Sequence, residues 1–397
     1  MDNPAEEQSK IEQFESPEPF TVEIEGAELK FFPSGSDRLN AVLELIASAK
    51  TRLRLYYYIF NKDEAGARVR DALAEAAARG VVVTMVLDDF GAMADAQFLS
   101  SITERGGKVL RFSPRWNVRY LIRNHQKLLI ADDEIALVGG FNIEDAYFAP
   151  PEEGGWNDLG LTIRGKGVDA LVEWFCQLED WTEDPKAQFR SFCRLVREWE
   201  PGDSKVRWLV GGPTRGLSSW ARSVLHDIEC GNRLDMMMAY FSPRGGIVKR
   251  IGKIAQRGAA TLLLASKTDI LATLYAARSL YGRMLRRGVK IGEFLPSPLH
   301  TKLIVIDDVT YIGSANFDMR SLYINLELMV RIEDARLADR MREFIAYHMR
   351  FSTHVTPEVH RKRRGLWARL RGKISWFIVA VLDYTLTRRL NIAPPPP

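Results

Sequence analysis

Apolar residues along this chain fall into short runs separated by segments of helical period, and the same succession of runs occurs twice. In the first half, residues 20–32 alternate loosely and predict one or two strands, and 39–49 carry apolar residues at helical spacing. Residues 53–60, rich in aromatic and aliphatic side chains, predict a buried strand. Asp63 opens a helical pattern that runs to Ala78 and stops at Gly80. Strands are predicted over 81–87 and 108–112, then over 128–131 and 135–138 around a turn at Asp132-Asp133. The second half repeats this order. Residues 234–241 match 53–60, the helix over 246–256 stopped by Gly258 matches 63–80, 261–265 match 81–87, and 288–294 match 107–112. Each half closes with a helix, at 167–181 and 335–347. Strands alternating with helices predict an α/β layered sheet in each half, and two such halves make an internal pseudo-dimer.

The divisions follow from composition. Residues 1–20 are polar and contain proline, which predicts a mobile tail. The first domain is expected over 21–197, a linker over 198–206 where Pro201, Gly202 and Asp203 cluster, and the second domain over 207–352. Residues 353–397 form a basic and apolar tail. At 397 residues the chain is long enough for two independent cores, and 46% apolar with 27% charged residues is the balance of a globular protein. The net charge of +4 is mild, so local basic clusters matter more than the overall field. Three cysteines without C-x-x-C spacing argue against a disulfide framework or a zinc site and fit a reducing compartment. The acidic, polar start is not that of a signal peptide, and no stretch approaches the ~20 apolar residues that span a bilayer.

The candidate chemistry sits at matching points of the duplication. The first copy reads His125-Gln126-Lys127, four residues, then Asp132, and after six intervening residues Gly139-Gly140-Phe141-Asn142. The second reads His300-Thr301-Lys302, four residues, then Asp307, and after five intervening residues Gly313-Ser314-Ala315-Asn316. A two-fold arrangement brings equivalent residues together, so His125 and His300 are expected to face one cleft. One neutral imidazole can attack an electrophile while the other protonates the leaving group, with roles exchanged in a second half-reaction. Lys127 and Lys302 add fixed positive charge, and Asn142 and Asn316 add amide donors. That set suits a phosphoryl centre gaining charge as it reacts. It calls for no cofactor, and no carboxylate cluster or His/Cys spacing suggests a metal. Each imidazole needs its second nitrogen held. Residues 156–159 align with 324–327, which makes Asp158 and Glu327 the candidates. Asp132 and Asp307 read better as residues fixing the turn after each histidine strand than as proton carriers.

The two H-x-K-x4-D stretches resemble the phospholipase D superfamily. The resemblance extends to Tyr57-Tyr58-Ile59-Phe60, Asp88-Asp89-Phe90-Gly91, Gly139–Ile143 and Trp156-x-Asp158. In the second half it includes Tyr240-Phe241-Ser242-Pro243, Gly313–Ser321 and Asn325-x-Glu327, and the branch it is most similar to is the bacterial cardiolipin synthases. It covers roughly residues 35–352. It implies two α/β/α sandwich domains with one active site at their interface, and a catalytic set of His125, Lys127, Asp132, His300, Lys302 and Asp307. It also implies a phosphohistidine intermediate, with His125 as nucleophile and His300 protonating the departing alcohol. The expected reaction is phosphatidyl transfer that makes cardiolipin from phosphatidylglycerol and a second phospholipid. Rival readings are a phospholipase D using water or another alcohol, a nucleic-acid phosphodiesterase and a non-catalytic lipid-binding protein. No long basic, aromatic-interleaved groove supports nucleic acid as partner.

Bacterial cardiolipin synthases often begin with transmembrane helices, and here the C-terminal tail offers another route to lipid. Arg361–Arg364, Arg369, Arg371 and Lys373 are basic, while Leu366, Leu370, Ile374, Phe377, Val381 and Tyr384 share one helical face, with Trp367 and Trp376 nearby. This predicts an interfacial helix drawn to an anionic membrane surface, and a cytoplasmic enzyme peripheral on the inner membrane face. The alternative is a terminal helix docked on the protein's own core.

Overall fold

The computed structural model describes residues 9, 11, 13–113, 122–214, 216–363 and 365–382. The predicted tail over 1–8, Arg364 and Tyr384 lie outside the described residues, as do the side chains of Leu366, Arg369 and Val381. The first half contributes β1 (Phe20–Ile24), β2 (Ala27–Phe32), β3 (Arg52–Tyr57), β4 (Val82–Asp88), β5 (Lys108–Phe112), β6 (Leu128–Ala131), β7 (Ile135–Gly139) and β8 (Gly160–Gly165). The second contributes β9 (Val206–Gly211), β10 (Arg233–Met238), β11 (Phe241–Ser242), β12 (Ala259–Ala265), β13 (Lys290–Phe294), β14 (Lys302–Ile306), β15 (Val309–Gly313), β16 (Phe317–Asp318), β17 (Glu327–Glu333) and β18 (Ser352–His354).

The first sheet has the order β1-β2-β8-β7-β6-β3-β4-β5 and the second β18-β13-β12-β10-β14-β15-β17-β9, with a small β11-β16 ribbon beside it. The duplication is plain in the pairing. β3, β4 and β5 run parallel, as do β10, β12 and β13. β6 and β14 lie antiparallel to β3 and β10. β2 flanks β8 as β9 flanks β17. Because β6 is antiparallel to β3, its start lies at the carboxyl edge of the parallel strands, and β14 stands likewise in its own sheet. Both histidines immediately precede these strands and so emerge on that edge.

Apolar residues form three buried clusters. Leu53, Val69, Met85 and Phe141 belong to one on the outer face of the first sheet, and Met236, Ile251, Leu262 and Tyr311 to its counterpart on the second. A third is shared. Tyr56, Leu128 and Trp174 from the first half meet Met237, Leu303 and Ile345 from the second. The helices Val168–Glu183 and Ala335–Arg350, predicted as the closing helix of each repeat, contribute to this shared core. The two α/β units are thus joined through a shared apolar core, as in a pseudo-dimer.

One expectation about the segments flanking the domains is corrected. The stretch read as a mobile tail is docked where it is described. Phe14 is buried, its ring 5.1 Å from that of Phe294 and 5.2 Å from that of Phe351. One aromatic side chain with a pocket to fill outweighs the polar composition around it. The chain leading into the expected linker, and Trp199 within it, are also packed. The helix Phe189–Glu198 packs Phe192 and Val196 into the shared core, and Trp199 is buried against Trp174 while donating from Nε1 to the carbonyl of Trp208 at 2.8 Å. The helices Phe189–Glu198, Ser219–Cys230 and Leu271–Leu285 and strand β9 were not anticipated from the sequence.

Candidate active site

Each histidine is fastened by its backbone to the other half of the chain. His125 donates its N–H to the carbonyl of Leu326 at 2.9 Å, and Leu326 donates to Arg123 at 2.9 Å. In the mirror arrangement, Asn157 donates to Pro298 at 2.9 Å and His300 donates to Asn157 at 2.7 Å. These two short parallel bridges bring the residue next to Leu326 and the residue next to Asn157 alongside the imidazoles. Glu327 Oε2 lies 3.0 Å from His125 Nδ1, and Asp158 Oδ2 lies 2.7 Å from His300 Nδ1. Both carboxylates are essentially unexposed. The sequence pointed to these carboxylates; the structure shows that each clamps the histidine of the opposite repeat. A carboxylate at Nδ1 fixes the proton there and leaves Nε2 as the unprotonated nitrogen.

The lysines close around the same cleft. Lys127 Nζ donates to the carbonyl of His125 at 2.6 Å. Lys302 Nζ donates to the carbonyl of His300 and lies 2.8 and 3.0 Å from its two ring nitrogens. Both lysines are buried, and burial drives Lys127 down to about 7 and Lys302 down to about 8. Burial, reinforced by Lys302, pushes His300 down to about 3; burial, together with Lys127, also lowers His125 despite the pull of Glu327. Asp158 is held below its ordinary value: burial works upward, and the Lys302 ammonium together with the hydrogen bond from His300 Nδ1 overcomes it. Both imidazoles are therefore neutral at neutral pH. The His125 side chain is 13% exposed against 3% for His300, so His125 is the more accessible imidazole.

The glycine-rich strand ends are explained by the clamps. A Cβ on Gly140 would lie 2.7 Å from Asp158 Oδ1 and 2.9 Å from the Lys302 stem. Ser314, its counterpart, instead donates to Glu327 Oε2 at 2.5 Å. The two asparagines also differ. Asn142 donates from Nδ2 to Tyr147 Oη at 2.9 Å and accepts from Ile59 N at 3.2 Å, so its amide positions Tyr147. Asn316 is buried and its Oδ1 has no hydrogen-bond partner.

Asp132 and Asp307 lie outside the cleft, although the motif groups them with the catalytic set. Asp132 accepts from the backbone of Lys50, Thr51 and Arg52 at 2.7–3.0 Å, bonds that bring it down to about 2 against the upward push of its burial. Asp307 accepts from Asn232 and Arg233. Both have positive φ, 54° and 45°, in the turn after their strand. An aspartate tolerates that conformation and can hold the start of the neighbouring strand.

Sequence reasoning missed two residues. Arg38 is buried and donates to four carbonyls, those of Pro33, Asp158, Tyr147 and Trp156, at 2.5–3.0 Å. Tyr147 Oη lies 3.4 Å from His300 Nε2, and its ring and that of Trp156 wall that imidazole at 4.9 and 5.0 Å. Arg38 gave no signal, because an arginine in a helical pattern reads as a solvated side chain. Tyr147 follows Asn142 by five residues, outside the motif. Among the described residues, no group of three or more His, Cys, Asp or Glu side chains could hold a metal ion.

Two α/β halves that exchange histidine clamps across one cationic cleft define the double-motif phospholipase D-like class. Residues 42–166 and 227–349 match the family described as cardiolipin synthase, PLD-like domain, and the chain belongs to it. Cardiolipin synthase 1 of Staphylococcus aureus (strain MRSA252) is 31% identical over 361 residues, 85% of this chain and 71% of that protein. The major cardiolipin synthase ClsA of Bacillus subtilis (strain 168) is 28% identical, over 88% of this chain and 74% of its own length. Among solved structures, phosphatidylserine synthase of Haemophilus influenzae Rd KW20 superposes with a TM-score of 0.72 over 98% of this chain and 99% of that one. At 14% identity this likeness speaks for the fold alone.

Proposed function

We propose that the protein is a phosphatidyltransferase that makes cardiolipin, with phosphatidylglycerol as phosphatidyl donor and a second phospholipid as acceptor. The observation that carries this reading is the reciprocal clamping of His125 by Glu327 and of His300 by Asp158, which leaves two unprotonated Nε2 atoms in one cleft beside two buried lysines. His125 Nε2 attacks phosphorus, the P–O bond to the departing glycerol breaks, and a phosphohistidine remains. The leaving oxygen takes a proton from His300. That proton reaches His300 as the anionic phosphodiester enters, because its charge counters Lys302 and raises the imidazole's proton affinity. The acceptor hydroxyl then attacks phosphorus and returns its proton to His300. The lysines hold the charge that grows on the phosphoryl oxygens.

A lipid surface is the natural source of substrate. Phe90 and Met93 follow β4, and Ile270 and Leu271 follow β12, at the carboxyl edge from which the histidines emerge; all four are exposed. No helix among the described residues is long and apolar enough to cross a membrane. The proposed location is the cytoplasmic face of the inner membrane, and three free cysteines fit that compartment. The test is to supply phosphatidylglycerol vesicles alone and identify products by mass spectrometry. Cardiolipin and free glycerol are expected, with an acid-labile phosphatidyl label on His125. Phosphatidic acid as sole product would make the protein a hydrolase, and cleavage of nucleic acid without lipid turnover would overturn the lipid reading.

A further inference from the structure

The C-terminal helix Leu366–Trp376 is both docked and amphipathic. It lies along the helix Leu271–Leu285 through its small residues: a Cβ on Gly372 would come within 3.2 Å of Ser279 Cβ, and Ser375 is buried. The Arg371 guanidinium stacks on the Tyr275 ring at 3.8 Å, and Trp376 donates to the carbonyl of Pro243 at 3.4 Å. The apolar face is turned the other way. Trp367, 83% exposed, is followed by Leu370, Ile374, Phe377 and Ile378, all exposed, at helical spacing. Trp376 packs inward, whereas Trp367, Leu370, Ile374, Phe377 and Ile378 form a face left exposed among the described residues.

On the docked side of the same helix, Arg371, Gly372, Lys373 and Trp376 help to line a pocket of about 310 Å3 between the two helices and Pro357–Lys362. It shares no residue with the histidine cleft. Six cations line it, Arg278, Arg283, Arg286, Arg363, Arg371 and Lys373, against a single carboxylate, Glu293. Glu293 is 2% exposed, and Arg278 at 2.7 and 3.0 Å, Arg363 at 2.9 Å and Tyr281 Oη at 3.1 Å take up its oxygens. Its role is thus to fix Arg278 and Arg363 in the wall. Arg283, Arg286 and Lys373 form no ion pair among the described residues. The volume lies at the lower end of ligand pockets, ~300–1,000 Å3, enough for a polar headgroup and too little for a diacyl lipid.

We propose that this pocket binds the phosphodiester headgroup of an anionic phospholipid, with the acyl chains lying along the exposed stripe from Trp367 to Ile378. Charge complementarity selects the headgroup, and the exposed apolar stripe on the same helix selects a lipid over a free anion. The site would dock the enzyme on the membrane independently of the cleft, and Trp376 ties it to the loop whose Tyr240 ring faces His300 at 6.4 Å. This deepens the membrane-surface reading and does not depend on the chemistry at His125.

The test uses the full chain and short-chain, water-soluble phosphatidylglycerol, read by hydrogen exchange, which reports pocket and cleft separately. Protection is expected over 271–286 and 357–376 as well as around 124–127 and 299–302. R286Q/K373Q should lose the first and keep the second, whereas R164Q/K166Q, which removes two exposed charges from the other half, should keep both. On phosphatidylglycerol vesicles the pocket pair should weaken co-sedimentation ~30-fold, from a factor of about five per charge near an anionic surface, and the control pair less than twofold. Absence of protection over 271–286 and 357–376, equal weakening by both pairs, or equal protection by inorganic phosphate would overturn the proposal. Cardiolipin formation alongside any of these would leave the catalytic reading intact, and pocket protection without turnover would do the reverse.

Discussion

Replacing Lys302 with methionine should stabilise the protein while removing its activity. The ammonium is buried and its proton affinity falls from the ordinary 10.5 to about 8, because lost hydration outweighs the attraction of Asp158 and Glu327. At ~1.4 kcal/mol per unit, holding that charge at neutral pH costs the folded state about 3 kcal/mol. Methionine keeps the stem and removes the charge, and gives up the bond to the His300 carbonyl, worth ~1 kcal/mol. The expected net gain is 1–2 kcal/mol, or a few degrees in Tm (from ~2–4 °C per kcal/mol for domains of this size). The pH dependence identifies the cause. Below pH 8 both the folded and the unfolded protein carry the proton and the penalty is complete. Between 8 and 10.5 the unfolded chain binds the proton and the folded one releases it, so wild-type stability rises with pH. The advantage of the variant should therefore shrink across that window. Calorimetric melting of both proteins at pH 7 and pH 10, with turnover measured in parallel, checks this. A variant that melts lower than wild type at pH 7, or whose advantage is the same at both pH values, would refute the reasoning.

His125→Ala and His300→Ala should each reduce turnover ~10^3-fold or more, with the double variant little worse than either, because paired catalytic groups act as one unit; a single variant retaining a tenth of the activity would rule out the two-histidine scheme. In the free enzyme, kcat/KM should fall on the alkaline side near pH 7–8 as Lys127, held at about 7, and Lys302, held at about 8, lose their protons. The same limb in kcat should lie at higher pH, since a bound phosphodiester favours both charged forms; superimposable limbs would count against the lysines as phosphate ligands. Arg38→Met should leave four buried carbonyls without their donor and destabilise the first half by ~3 kcal/mol or more, with loss of kcat because the Asp158 segment is released; unchanged melting would remove Arg38 from the supporting structure.

What the sequence made legible was whatever repeats or alternates. The succession of most strands along the chain, the closing helices and the placement of His125 and His300 before equivalent strands all follow from periodicity, and periodicity survives in two copies of one pattern. What it hid were contacts between side chains far apart in the chain. Asp158 and Glu327 could be nominated by aligning the repeats, yet alignment alone does not say which histidine each one serves. Arg38 binds carbonyls more than a hundred positions away and has no local pattern. Phe14 and Trp199 were assigned to tail and linker because composition averages over neighbours, whereas burial is decided by one side chain finding a cavity. The C-terminal helix shows the limit most directly. The sequence offered a membrane-surface helix or a docked one, and the helix is docked by Gly372 and Ser375 while its large apolar residues remain outside.

The crossed clamps also explain why one chain carries both motifs. Each imidazole takes its backbone hydrogen bond and its carboxylate from the other half: His125 from Leu326 and Glu327, His300 from Asn157 and Asp158. Neither half alone has a histidine with a defined tautomer, so the competent site forms only when the shared core closes. Fusion into one chain makes that closure intramolecular and frees the halves to diverge. The divergence is visible at the clamps. The shorter Asp158 needs Gly140 and sits with Lys302 and Arg38, whereas the longer Glu327 is met by Ser314. It leaves His300 enclosed by Tyr147 and Trp156 and His125 more open. A symmetric dimer of identical halves would have to give both histidines one environment. The fused chain gives them two, as a mechanism needs when one imidazole attacks and the other manages the proton.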